Sequence, residues 1–201
     1  MSVRPLRLLA VLVLFAGTLT AFTYIQSAPY DVDKTHSQVQ FKVKHLGITT
    51  VTGTFHDFDV DLNLDPADVA SLQTSATVQI ASVDTGNERR DGHLRSEDFF
   101  HADAHPTMAF ESTGVQNVDG NEFELLGNLT IRGVTLPVAF EAEMAGPVTG
   151  PQGKPRVAFT ASTEINRKDY GLEWGPVVEG VNVVSDNVDI ILEVQAVPAD
   201  A

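Results

Sequence analysis

The sequence of 201 residues contains no cysteine. Disulfide bonds, thiolate metal sites and cysteine nucleophiles are therefore excluded. Positive charge is also scarce, because 13 Lys and Arg residues stand against 27 Asp and Glu residues and the formal net charge is −14. Nucleic acids are held mainly through Lys and Arg contacts to phosphates, so this charge balance argues against a nucleic-acid partner.

Signatures of familiar catalytic sites are missing as well. The chain has no Gly-x-Ser-x-Gly elbow, no His-Glu-x-x-His helix, no phosphate-binding loop and no dinucleotide fingerprint. Of its six scattered histidines, His101 and His105 have helical spacing, but Pro106 follows directly and disfavours helix at His105. We therefore expect a protein that is not an enzyme and that uses no cofactor and no metal.

A hydrophobic segment begins the chain. Arg4 and Arg7 precede a stretch from Leu8 to Ile25 that carries no charge, which is typical of a secretory signal peptide. The stretch is also about long enough to span a bilayer as a helix. We predict that residues 1–28 are a signal peptide or an N-terminal anchor and that residues 29–201 form one periplasmic or secreted domain. An uncleaved anchor would hold this domain near a membrane.

From Tyr30 onward the hydrophobic pattern alternates with a period of two, which is typical of β-strands with one buried face. In the strand predicted from Gln38 to His45, every second residue from Val39 onward lies on the apolar face. Between Val51 and Leu64 the apolar residues switch from odd to even positions at His56-Asp57. We expect a β-bulge there, because one extra residue shifts the alternation by one.

The segment from Glu122 to Met144 predicts a hairpin with Arg132-Gly133 as its two-residue turn. This turn places five cross-strand pairs on one face, and a shift of one residue would destroy the match. The predicted pairs are Ile131 with Val134, Leu129 with Leu136, Gly127 with Val138, Leu125 with Phe140 and Phe123 with Ala142.

About eight strands, few helices and no internal repeat indicate an all-β fold, either a closed antiparallel barrel or a two-layer sandwich. The bulge and the long hairpin favour the barrel. Residues 87–105 predict a short helix and loop over an opening, and residues 167–185 are rich in glycine and carry the single tryptophan, Trp174. Long loops of this kind in a compact domain are usually functional.

The chain carries an ordered series of short motifs between Tyr30 and about Val194. They are Asp33-Lys34-Thr35-His36-Ser37, His45, Gly53-Thr54-Phe55, Val83-Asp84-Thr85-Gly86, Arg90-Asp91, His93-Leu94-Arg95-Ser96, Asp98-Phe99-Phe100, Phe110-Glu111-Ser112-Thr113, the run from Gly127 to Thr135, and Ile165-Asn166-Arg167 with Asp169-Tyr170-Gly171-Leu172. These motifs resemble those of the YceI-like proteins, a polyisoprenoid-binding group of bacterial periplasmic proteins.

The resemblance implies an extended, lipocalin-like antiparallel barrel of eight strands with a short helix and loop at its mouth. Its elongated apolar interior would hold a polyisoprenoid or a similar long-chain lipid, which the protein sequesters or transports. Affinity for such a chain comes from buried apolar area, at about 25 cal/mol per Å² before ordering costs.

The inward-facing residues predict the ligand contacts. Leu94, Phe99 and Phe100 are expected to cover the mouth of the barrel. His45 shares an apolar face with its neighbours and is either a core histidine or a polar contact inside the pocket. The predicted lining of the pocket consists of Phe41, Val43, Val51, Phe55, Phe58, Phe110, Leu125, Leu129, Leu136, Val138, Phe140 and Phe159.

Arg90, Asp91 and His93 on the predicted helix are the candidates for holding a polar head group. Two other functions stay open at this stage. The same three residues, or His45, are compatible with an enzyme that modifies a lipid inside the barrel. A completely packed interior would instead indicate a membrane-tethered structural or stress-response module. The sequence also leaves a homodimer open.

Overall fold

A computed structural model of the chain describes residues 27–151, 153–178 and 180–199. Most of the predicted leader, residues 1–26, lies outside the described residues. Within them there is one α-helix, α1 (Glu88–Arg95), and no helix is long and apolar enough to cross a membrane. Short 3-10 helices lie at Lys34–His36, Ile80–Ser82 and Arg167–Tyr170. The strands are β1 (Ala28–Val32), β2 (Gln38–His45), β3 (Thr49–Phe55), β4 (Phe58–Asp65), β5 (Asp68–Gln79), β6 (Val83–Asp84), β7 (Thr107–Asp119), β8 (Glu122–Ile131), β9 (Val134–Thr149), β10 (Pro155–Asn166), β11 (Val177–Val178), β12 (Val181–Asn182) and β13 (Val184–Pro198).

Eight antiparallel strands form a closed barrel in the order β1, β4, β5, β7, β8, β9, β10 and β13, and β13 pairs back to β1. The barrel closes at Tyr30, which lies opposite Leu62 of β4 and Pro198 of β13. Closure leaves no unpaired edge between these strands. The predicted all-β barrel is confirmed.

A kink separates β1 from β2, and both strands pair with β13. β1 pairs with the C-terminal end of β13, and β2 pairs with the part of β13 that precedes it. Asp33 forms the kink by accepting a hydrogen bond from Thr35 N at 3.2 Å, which caps the short 3-10 helix. Hydrogen bonds from the side chains of Thr35, His36 and Arg156 hold the pKa of the Asp33 carboxyl well below its usual range. The Asp33 side chain therefore stabilises the point where the chain changes direction.

The switch in alternation at His56-Asp57 has a different cause from the predicted bulge. β3 ends at Phe55 and pairs with β2 and β6, whereas β4 begins at Phe58 and pairs with β1 and β5. Phe55 and Phe58 are both buried, since each strand turns its apolar face inward. The bulge prediction is wrong, because a break between two strands shifts the alternation by one residue just as a bulge does.

β8 and β9 form the predicted hairpin in the predicted register. Ile131 lies opposite Val134 and Phe123 opposite Ala142, with the three other predicted pairs between them. The turn residues Arg132 (φ 50°) and Gly133 (φ 76°) both have left-handed backbone conformations, as a type I′ turn requires.

The two ends of the barrel differ. At one end, which we call the closed end, fully buried residues such as Leu64, Val157 and Ala196 fill the interior. At the other end, α1 and residues 96–105 lie over the strands and pack on a second buried cluster. We call α1 with residues 96–105 the lid, and this end the lid end.

Candidate binding cavity

A cavity of about 210 Å³ lies inside the barrel, between the closed end and the lid. Most of its wall is apolar, and its polar residues are Gln40, Thr74, Arg167 and Tyr170. The apolar wall residues are Val39, Phe41, Val43, Phe55, Val60, Leu62, Leu72, Ala76, Val78, Leu94, Phe99, Phe100, Met108, Ala109, Phe110, Phe123, Leu125, Leu129, Ile131, Phe140, Ala142, Phe159, Ala161, Ile165, Leu172, Val184, Val188, Ile190, Leu192 and Val194.

The cavity is long for its volume. Wall residues of β8 run from Phe123 near the closed end to Ile131 at the lid end. At roughly 3.4 Å per residue this path measures about 27 Å, which is about 20 Å along the barrel axis for strands tilted by about 40°. A volume of about 210 Å³ spread over this length forms a narrow channel. Such a channel suits an extended chain better than a compact ligand.

Two glycines allow phenylalanine rings to lie close against the barrel wall. A Cβ atom on Gly53 would lie closer than 3.0 Å to the ring of Phe41, and a Cβ on Gly127 would lie equally close to the ring of Phe110. Both rings line the cavity. Phe110 also meets Phe140 edge-on, with ring centroids 5.4 Å apart. Glycine at these two positions therefore sets how far the rings project into the channel.

Aromatic side chains of the lid line one end of the channel. Phe99 and Phe100 are buried, and the ring of Phe100 meets that of Phe55 edge-on at a centroid distance of 5.9 Å. The rings of His93, Phe99 and Trp174 also pack against one another, with centroids 4.7 to 5.1 Å apart. The lid is thus joined to the barrel below it and to the loop that follows β10.

Arg132 fastens the lid to the barrel. Its guanidinium donates hydrogen bonds to the carbonyl oxygens of Phe99 at 2.8 Å and Gly171 at 3.0 Å. Hydrogen bonds from a charged group contribute about 1.5–3 kcal/mol, which offsets the cost of roughly 1–2 kcal/mol for a left-handed residue other than glycine. The hairpin turn therefore tolerates an arginine, because its side chain holds two other segments together.

Arg167 is a buried cation beside the cavity, with 4% of its surface exposed. Its guanidinium donates hydrogen bonds to the carbonyl oxygens of Leu172, Trp174 and Ser185 and pairs with the Asp186 carboxylate at 3.3 Å. Burial lowers the pKa of Arg167, and the Asp186 charge opposes this shift. Because loop carbonyls engage its donors, Arg167 holds the loop against the start of β13.

Tyr170 lines the lid end of the cavity and is fully buried. Burial raises the pKa of its hydroxyl, and the neighbouring Asp169 charge raises it further. The phenol therefore stays neutral at physiological pH, so Tyr170 adds no charge to the wall.

The structure brings most of the predicted contact residues together at the cavity. Contact of these residues with a ligand stays a prediction. The predicted residues found in the wall are Phe41, Val43, Phe55, Leu94, Phe99, Phe100, Phe110, Leu125, Leu129, Phe140 and Phe159.

Five predicted contacts lie outside the wall. Phe58, Leu136 and Val138 pack into the surrounding core instead. Val51 is half-buried on β3, and His45 is exposed at the end of β2. His45 is therefore neither a core histidine nor a pocket contact, because β2 reaches the barrel rim at this residue and its alternation no longer corresponds to an inside and an outside.

The predicted head-group residues also lie outside the wall. The buried carboxylate of Asp91 accepts a hydrogen bond from Thr85 N at 2.9 Å, and Arg90 donates one to Thr85 O at 2.8 Å. His93 lies 2.8 Å from the Asp98 carboxylate. These contacts attach α1 to the chain before it and fold the lid onto itself, so the three side chains stabilise the lid.

Arg167, Tyr170 and the wall residues of β13 were not predicted as parts of the site. The segment containing Arg167 and Tyr170 reads as a polar turn, and nothing in its pattern shows that it folds back over the barrel. For β13, the alternation from Val188 to Val194 was the available signal. Across the described residues, no three His, Asp or Glu side chains come together in an arrangement that could hold a metal ion.

Comparison with known proteins agrees with this architecture. A family model described as the YceI-like domain matches residues 30–196. Protein YceI of Escherichia coli O157:H7 is 37% identical over 187 residues, which cover 91% of this chain and 94% of that protein. The crystal structure of Burkholderia cenocepacia BcnA is similar with a TM-score of 0.73 and 25% identity, over 82% of this chain and 99% of BcnA.

A polyisoprenoid binding domain from Saccharophagus degradans shares the fold, with a TM-score of 0.62 and 16% identity over 87% of this chain and all of that domain. The family model spans most of the described barrel, and the alignment with the Escherichia coli relative covers almost all of both proteins. This chain belongs to the YceI-like family.

Proposed function

We propose that this protein binds a polyisoprenoid or a similar long-chain amphiphile inside the barrel and sequesters or transports it without converting it chemically. The observation that carries the proposal is the cavity, a narrow channel with an apolar wall that extends from the closed end to the lid. Membership of the YceI-like family supports the proposal, as does the shared fold of the Saccharophagus degradans domain, which is a polyisoprenoid binding domain.

Apolar burial supplies the affinity in this proposal. A hydrocarbon chain offers no hydrogen bonds, and it gains about 0.8 kcal/mol for each methylene group removed from water, before the cost of ordering the chain. Arg167 faces this space from a network of its own hydrogen bonds, so an apolar ligand does not have to displace water from a free charge. Because each additional buried methylene group adds to the affinity, long chains are favoured over short ones.

The two alternative functions fit the structure less well. An enzyme acting through His45, or through Arg90, Asp91 and His93, would need these groups at the cavity, but none of them lies in its wall. A purely structural module would have a filled interior, whereas this barrel encloses a channel. Binding is the function that the arrangement of side chains supports best.

We also propose that the domain works in the periplasm or is secreted. The charged start at Arg4 and Arg7 and the uncharged segment that follows support export. Detection of the protein in fractionated cells tests the location, and recovery in the cytoplasm alone would contradict it. Sequencing of the N-terminus of the exported protein distinguishes a cleaved signal peptide from an anchor.

Lipid binding is tested by purifying the protein without detergent, extracting it with organic solvent and analysing the extract by mass spectrometry. We expect a long-chain lipid in an amount comparable to the protein. If no lipid is found and a long-chain polyprenol added to the empty protein does not bind, the proposal is wrong.

A matched pair of variants locates the lipid. Ala161 lines the cavity, whereas Ala139 is exposed on the outer face of β9. In Ala161→Phe the added ring would occupy the channel, so we expect most of the bound lipid to be lost, while Ala139→Phe retains it. Equal lipid content in the two variants would show that the lipid binds elsewhere.

A further inference from the structure

Exposed aliphatic side chains are concentrated at the lid end. Among the described residues, the large hydrophobic side chains that are exposed are Ile48, Val118, Val134, Val148, Val177, Val178 and Val181. Ile48 lies in the turn between β2 and β3, three valines lie in the small hairpin of β11 and β12, and Val134 follows the turn after β8. Only Val118 and Val148 lie toward the closed end, and they belong to two different strands.

The β2–β3 turn and the β11–β12 hairpin lie side by side. Leu46 N donates a hydrogen bond to Val183 O at 3.0 Å, and His45 lies opposite Val184. We call Ile48, Val177, Val178 and Val181 the rim patch. Ile48 is 80% exposed, and the three valines are 44% to 63% exposed.

The rim patch is continuous in the chain with the cavity wall. Val43 of β2 and Val184 of β13 both line the cavity. Val43 precedes Ile48 by five residues, and Val184 follows Val181 by three residues. The same two segments thus carry apolar side chains inside the barrel and at its outer rim.

The size of the rim patch indicates what covers it. Four partly exposed aliphatic side chains offer a few hundred Å², which is well below the roughly 800 Å² that each partner contributes to a stable protein interface. A lipid bilayer needs no complementary surface, and aliphatic side chains at loop tips can enter its interface. The patch therefore fits a bilayer better than a second copy of this chain.

We infer that the lid end docks on a lipid bilayer through the rim patch. The inference rests on the proposed function, because a carrier of water-insoluble chains must collect and release them at a lipid surface. The net charge of −14 opposes contact with anionic lipids. We therefore expect docking to be strongest on uncharged, zwitterionic membranes.

Because the full chain contains no cysteine, a single introduced cysteine allows a dye to be attached at either end of the barrel. Val178→Cys reports on the rim patch, and Val148→Cys reports on the closed end at similar exposure. Each variant carries an environment-sensitive nitrobenzoxadiazole dye and is mixed with phosphatidylcholine vesicles. We expect the emission to rise several-fold at position 178 and to stay unchanged at position 148. No rise at position 178, or an equal rise at both, would overturn the inference.

This local signal also separates docking from insertion of the N-terminal segment. The described chain enters the barrel at the closed end, where Ala28 lies opposite Leu64. Membrane contact made only through the preceding segment would change the dye at position 148 rather than at position 178. That result would also contradict docking through the lid end.

Serine variants test the rim patch itself. The rim variant combines Ile48→Ser and Val177→Ser. The control variant combines Val118→Ser and Val148→Ser, which removes two exposed aliphatic side chains at the closed end. We expect the rim variant to bind phosphatidylcholine vesicles about tenfold more weakly or worse, and the control variant to bind like the wild type. Equal weakening in both variants would contradict a specific patch.

Two further measurements keep docking distinct from lipid binding. Mass spectrometry of the extracted rim variant should show an unchanged lipid content, because none of the rim residues lines the cavity. A wild-type protein that carries lipid but does not bind vesicles would overturn docking and leave the proposed function intact. If light scattering shows that the wild type is a dimer and the rim variant is a monomer, the patch contacts a second copy of the chain and the inference is wrong.

Discussion

Replacing Gly53 by alanine tests whether glycine sets the width of the channel. The new Cβ atom would lie closer than 3.0 Å to both Cε1 and Cζ of Phe41, and 3.0 Å from Cγ2 of Thr85. Carbon atoms in contact are normally about 3.5–4.0 Å apart, so the edge of the ring has to move by roughly 1 Å or more. Because Phe41 lines the cavity, the movement away from β3 carries the ring into the channel.

The cost of this change is that of an overpacked core, about 1–3 kcal/mol. We expect the free energy of unfolding of Gly53→Ala to fall by this amount in urea titrations. A shift of 1 Å is large for a channel of about 210 Å³ that extends through the barrel. The amount of bound long-chain lipid, measured by mass spectrometry after extraction, should fall as well.

Gly114→Ala is the matched control, because nothing lies within 4 Å of a Cβ atom at that position on β7. This variant should keep both its stability and its lipid. Replacing the ring by a smaller side chain, in the double variant that combines Gly53→Ala and Phe41→Leu, should recover part of the lost stability. The effects of the two changes on stability are then not additive. The reasoning is refuted if Gly53→Ala behaves like Gly114→Ala, or if the double variant is no more stable than the sum of the single effects predicts.

Three further predictions concern stability. Gly92→Ala in α1 should raise the free energy of unfolding by up to about 1 kcal/mol, since the site is exposed and open; an unchanged or lower melting temperature would contradict this. Arg167→Met should lower it by about 3 kcal/mol or more in urea titrations, because the carbonyls of Leu172, Trp174 and Ser185 lose their donor; a loss below 1 kcal/mol would show that water replaces the guanidinium. The depressed pKa of Asp33 means that its stabilisation is complete above the ordinary aspartate pKa near 4 and is lost as the pH falls toward the folded-state pKa. Asp33→Asn should therefore be less stable than the wild type at pH 7, and the difference should shrink in urea titrations below pH 4; a constant difference would contradict the assignment.

The strands that the sequence predicted best are those whose partners are close in the chain. For β8 and β9, the period of two and the Arg132-Gly133 turn were sufficient, because a slip of one residue would turn every apolar side chain outward. Around His56-Asp57 the alternation predicts the wrong feature, because a bulge and a strand break leave the same pattern. Only the different neighbours of β3 and β4 distinguish the two.

The candidate site was predictable to the extent that alternation separates inside from outside. It succeeded for wall residues in the middle of strands, such as Phe140 and Phe159, and failed for His45 at the rim. It also failed for Arg90 and Asp91, whose common partner Thr85 belongs to the chain before the helix. The sequence does not show which partner such a charged side chain will contact, and the pattern alone therefore predicts that the side chain is free to bind a ligand.

Composition and alternation by themselves determined that this chain is an acidic all-β domain without thiol chemistry and with its apolar residues on the inner faces of its strands. These properties depend on residue type and on neighbours along the chain. The tertiary structure decided which inner residues fill the core and which face an open channel, and it decided that Arg132 and Arg167 hold loops in place. It also brought Ile48 beside the valines of a distant hairpin. Those outcomes depend on distances between segments far apart in the sequence, and only the pairing and packing of these segments in the folded chain set them.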